Sequence, residues 1–85
     1  MQTISREIRG IPFFLLKEYL QEMGGEVVED DLIQSPGWIV HLYRMEPFRL
    51  GSLEVGQTRL KIRIEDDLVD DFFEQLNKKT LRAGG

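Results

Sequence analysis

The sequence predicts a small α+β domain, a two-layer sandwich in which two helices cover one face of a mixed or antiparallel sheet. The expected order is strand, helix, strand, strand, strand, helix. Three observations carry this reading. Two segments, 13–23 and 66–79, space their apolar residues as amphipathic helices do. The segment TRLKIRIE alternates strictly between apolar and charged, as a half-buried strand does. The chain has 85 residues, enough for one domain with one modest core that every element must share.

The elements follow in order. TISREIR, Thr3–Arg9, alternates loosely and reads as a strand that Gly10 ends. Pro12 then suits the first turn of a helix, where its missing N–H costs nothing. Phe13, Leu16, Leu20 and Met23 form the helix's apolar stripe, and Leu15 and Tyr19 widen it. Gly24-Gly25 closes the helix, one of the two in the left-handed conformation. Glu26–Gln34 reads as one strand, and Ser35-Pro36-Gly37 as a turn. Trp38–Met45 carries large side chains on both faces, which predicts a central strand. Pro47 is expected to break it, with GSLEVGQ a loop or short edge piece flanked by Gly51 and Gly56. The last helix buries Leu68, Val69, Phe72, Phe73 and Leu76. Asp66 and Asp67 suit its positive end, and Lys78 and Lys79 its negative end. That helix is expected to stop near Lys79. Residues 80–85 then form an open Gly-Gly tail on a single domain, 1–85.

Composition removes several classes of function. The chain is 41% hydrophobic and 31% charged, which fits a folded globular protein rather than a disordered one. It has no cysteine, so a disulfide framework, a thiolate metal site and a catalytic thiol are all excluded. That suits the cytoplasm. No apolar run reaches the length of a membrane span. The start, MQTISREIRG, shows no basic stretch followed by an apolar one, so no signal peptide is expected. The net charge of −4 opposes non-specific nucleic-acid binding.

The chemistry-bearing residues are few. With Trp38, Val40 and Leu42 facing the helices, Ile39, His41, Tyr43 and Met45 face outward, beside Arg59, Lys61 and Arg63. This aromatic and basic sheet face is a candidate surface for an anionic ligand or a protein partner, and a homodimer through it is expected, because apolar residues exposed in a row on a strand invite a second copy. His41 is the lone histidine and has no nucleophile motif beside it. The run EDDLVDD lacks the glycine turn that calcium loops need, so its carboxylates are read as serving the helix start. No metal or cofactor site is expected, and no enzymatic activity.

The chain's ending, LRAGG, resembles the ends of ubiquitin-like proteins and of the prokaryotic sulfur carriers, including the small subunit of molybdopterin synthase. In those families the last glycine is adenylated and then made a thiocarboxylate or an amide. The resemblance implies that Gly85 is the activated residue and Gly84 its neighbour in a narrow channel. It also implies an adenylating enzyme or a molybdopterin synthase component as partner. Six open residues would reach about 20 Å into such a site. A longer stretch, PGWIVHLYRMEPFRLGSLEVGQTRLKIR continuing to KKTLRAGG, is similar to the C-terminal domain of proteins related to the molybdopterin synthase small subunit. This implies a place near molybdenum cofactor biosynthesis. Ubiquitin-like carriers begin with a β-hairpin and carry Gly-Gly after a final strand. Here one strand precedes the first helix, and Gly-Gly follows a helix. Two roles therefore stay open, the carrier itself and a domain that accompanies one.

Overall fold

The computed structural model describes residues 1–84, with side chains through Leu81. Strand β1 spans Gln2–Arg9 and helix α1 spans Phe13–Glu22. Strands β2 (Glu26–Glu29), β3 (Leu32–Ser35), β4 (Trp38–Leu50) and β5 (Leu53–Ile64) follow. A 3₁₀ turn at Asp66–Leu68 leads into helix α2, Val69–Gly84. The five strands form one sheet in the order β1-β5-β4-β3-β2, and each neighbouring pair is antiparallel. The fold is the expected two-layer α+β sandwich, with β4 as the middle strand.

Alternation places the core. Leu60, Ile62 and Ile64 of β5, Trp38, Val40 and Leu42 of β4 and Ile33 of β3 are all buried on one face. Leu16 and Leu20 of α1 and Phe72 and Leu76 of α2 complete the same cluster. Both helices therefore cover that one face. Each such side chain contributes about 1.5–3 kcal/mol when removed from water. The Trp38 and Phe72 rings meet edge-on at 5.2 Å and join the sheet to α2.

The structure differs from the sequence reading in three places. Glu26–Gln34 is not one strand but part of a hairpin, β2 and β3, turning at Asp30 and Asp31. Aspartate favours turns because its short side chain competes for nearby backbone groups. Pro47 does not end β4. The register steps from Met45↔Gln57 to Phe48↔Val55, so Glu46 and Pro47 oppose Gly56 alone. This is a bulge, one of the few sheet positions that tolerate proline. The strands continue to a two-residue turn at Gly51 and Ser52, where Gly51 has φ +64°. Finally, α2 does not stop near Lys79 but takes in residues 80–84. Leu81, Arg82 and Ala83 are good helix formers, and Thr80 Oγ1 donates back to the Asn77 carbonyl at 3.1 Å.

Two ion pairs fasten the helices. Lys17 of α1 donates to Asp30 at 3.0 Å, and this hydrogen bond and charge hold the Asp30 carboxyl below its ordinary pKa. Lys79 of α2 reaches Glu22 of α1 at 3.1 Å. Lys79 was expected to serve its own helix end and instead bridges to the neighbouring helix.

Candidate functional site: the uncovered sheet face

The antiparallel register brings the six predicted face residues into three adjacent pairs. Ile39 lies opposite Arg63, His41 opposite Lys61 and Tyr43 opposite Arg59. On the other side of β5, Thr3, Ser5 and Glu7 of β1 lie opposite Arg63, Lys61 and Arg59. Residues opposite one another in such a pair share a face. The row is therefore continuous across three strands, and no helix covers it.

His41 is held in a chain of hydrogen bonds. Its Nε2 lies 3.1 Å from Asp31 Oδ2, and its Nδ1 lies 3.0 Å from the Tyr43 hydroxyl. A carboxylate only accepts, so Nε2 of the neutral ring carries the proton and Nδ1 accepts from Tyr43. The two rings also stack, with centroids 4.3 Å apart. All three side chains keep substantial solvent exposure. The chain fixes the orientation of Tyr43 on an open surface. It does not form an enclosed pocket where water is excluded and a base acts with full effect.

The basic row is partly neutralised. Arg59 faces Glu7 at 3.4 Å, an exposed and long pair worth little. Among the described residues Lys61 and Arg63 make no ion pair. The positive end of the face is thus Lys61 and Arg63, with the Thr3 and Ser5 hydroxyls beside them. The other end is an open depression of about 800 Å³ at the β4 bulge, bordered by Tyr43, Met45, Phe48 and Arg59.

Sequence reasoning missed Asp31 and Glu7. Asp31 was read as part of a single strand, Glu26–Gln34, because the β2–β3 turn was not recognised. Glu7 was missed because the pairing of the first strand with the last is not legible in local pattern. The other predicted site is the C-terminal glycine pair. Gly84 is the last residue of α2, and Gly85 lies outside the described residues. The acidic run at the start of α2 stays exposed. Among the described residues no three His, Cys, Asp or Glu side chains converge as metal ligands would. No helix among them is long and apolar enough to cross a membrane.

The fold and face define a small two-layer α+β domain that leaves one polar, partly basic sheet face uncovered. A family model described as archaeal MoaD-like protein matches residues 4–85. The chain belongs to this archaeal MoaD-like family, which relates it to the small subunit of molybdopterin synthase. No curated protein matches the chain.

Proposed function

We propose that this protein is a non-enzymatic accessory component of molybdenum cofactor biosynthesis, which docks a molybdopterin synthase component through its uncovered sheet face. One observation carries the reading: in a chain of the MoaD-like family, Lys61 and Arg63 stand unpaired, among the described residues, on a face that no helix covers. A row of unpaired charge suits an acidic partner surface and speeds encounter with it. Symmetric docking of two copies through this face, the homodimer expected from sequence, is disfavoured where its two-fold axis sets Lys61 and Arg63 of both copies together. The proposed setting is cytoplasmic.

A second reading is a sulfur carrier with Gly85 as the activated residue and an adenylating enzyme as partner. The ending LRAGG favours it. The helix through Gly84 weighs against it, because threading a narrow channel first requires the last turn of α2 to unwind. The intact mass of the protein from its native cells separates the two readings. The accessory role predicts an unmodified Gly85 in cells where a known carrier is thiolated. A gain equal to replacing one oxygen by sulfur, mapped to Gly85, overturns it in favour of the carrier.

A further inference from the structure

Past the β4 bulge the two longest strands leave the rest of the sheet behind. The pairing of β3 with β4 ends at His41, and that of β1 with β5 ends where Arg9 lies opposite Gln57. The ladder of β4 with β5 runs on to Leu50 opposite Leu53. Residues 48–55 therefore form a two-stranded arm, with no third strand beside it among the described residues.

The arm has two unlike sides. Arg9 sits on the uncovered face, where its Nε donates to Gln57 Oε1 at 2.9 Å, and its guanidinium lies 4.1 Å from the Phe48 ring centre. Phe48 therefore belongs to that face. Val55 lies opposite Phe48, and Leu50 and Leu53 follow two residues further out, so all four share it. Arg49 and Glu54 alternate with them and pair on the other side at 3.1 Å. Leu50 and Leu53 are each 65% exposed. A two-stranded ribbon is marginal in water by itself, and an apolar stripe on it gains by being covered. The uncovered face thus changes character along its length. Lys61 and Leu53 stand about 26 Å apart on β5 at the rise of a strand. One end of the face carries positive charge, and the other carries two leucines.

We infer that the arm is the apolar anchor of this face. Leu50 and Leu53 enter an apolar cleft on a partner protein, whose surface turns acidic about 26 Å away, where it meets Lys61 and Arg63. The inference rests on the proposed docking through this face and adds what the partner must present there. A second copy of the chain does not present it. A two-fold axis along the strands, or across them at the basic end, sets Lys61 and Arg63 of both copies together. An axis across the middle of the face buries those charges against the other copy's leucines, and an unpaired buried charge is costly. An axis across the arm joins residues 48–55 of each copy and little else, against the roughly 20–30 residues a side of a stable contact. Only a partner with unlike ends spans the whole face.

The test is binding of the full chain to purified molybdopterin synthase components, read by titration and by amide exchange. Leu50→Ser with Leu53→Ser should weaken the complex by at least about tenfold, since two leucine side chains then lose their burial. Both positions are exposed, so the far-ultraviolet spectrum should stay unchanged. Leu50→Met with Leu53→Met, which keeps the apolar bulk, should restore most of the binding. Arg49→Ala, on the other side of the arm, should leave it unchanged. Amides of residues 48–55 should exchange more slowly in the complex. A complex that Lys61→Glu with Arg63→Glu weakens, but that tolerates the serine pair and leaves exchange in the arm unaltered, overturns the inference and keeps the docking face. Absence of binding to any component overturns both. A free protein that sediments as a dimer with protected arm amides overturns the inference in favour of a second copy.

Discussion

Replacing Gly25 with alanine should destabilise the protein by about 1–3 kcal/mol, toward the upper end, as overpacking of a filled core does. The added Cβ would stand 2.5 Å from Ile33 Cγ2, 2.7 Å from Trp38 Cη2 and 2.9 Å from the Leu20 carbonyl oxygen. Ile33 is fully buried and branched at Cβ, so it has little room to turn away. The Leu20 carbonyl is fixed because it accepts the Gly25 N–H at 3.0 Å. The two adjacent glycines thus answer different needs. Gly24 supplies the backbone at φ +103° that ends α1, where an added Cβ would make only an ordinary contact, 3.9 Å from Ser35 Oγ. Gly25 supplies the absence of a side chain where the helix exit crosses β3 and β4. In a domain of this size each kcal/mol lowers the melting temperature by about 4–8 °C. Thermal unfolding monitored at Trp38 reads the change. Gly56→Ala is the matched control. No atom lies within 4 Å of its new Cβ, so it should leave the midpoint nearly unmoved.

Truncating Ile62 to alanine should cost about 2–5 kcal/mol, the range for large-to-small changes in a packed core. Ile62 is fully buried, second from the edge of the sheet, opposite Ile4 on β1 and Val40 on β4. Lys61, one residue earlier, faces solvent, and Lys61→Ala should move stability by less than about 0.5 kcal/mol. Chemical denaturation of both variants measures the difference. Equal losses at the two positions would contradict the two-faced reading of β5. The contrast also matters for function, since it means the face residues can be changed without unfolding the protein.

The core was largely legible in the sequence because alternation and helical spacing report burial directly. Leu60, Ile62 and Ile64 showed which side of β5 is inside before any neighbour was known. The positions of Ile39, His41, Tyr43, Arg59, Lys61 and Arg63 on one face followed from the same parity. Partners separated in the chain were not legible. Glu7 and Arg59 meet only because β1 pairs with β5, and no local pattern announces that pairing. Asp31 meets His41 only because Asp30 and Asp31 form a turn inside what looked like one continuous strand. Pro47 misled for a related reason. Proline does break an ordinary strand, but a bulge gives it a place with no ladder bond to lose. The end of α2 was misjudged because Gly84-Gly85 drew the boundary backward, although residues 80–83 contain no helix breaker.

The proposed role works through the uncovered sheet face and not through the last two glycines. The most direct test is binding of the purified chain to purified molybdopterin synthase components, compared with two variants. Arg63→Glu together with Lys61→Glu should weaken the complex by about tenfold or more, because each reversal turns an attraction at the interface into a repulsion. Deleting Gly84 and Gly85 should leave binding unchanged. The opposite pattern, with the deletion abolishing binding and the charge reversals tolerated, would contradict the account and give the tail the central role.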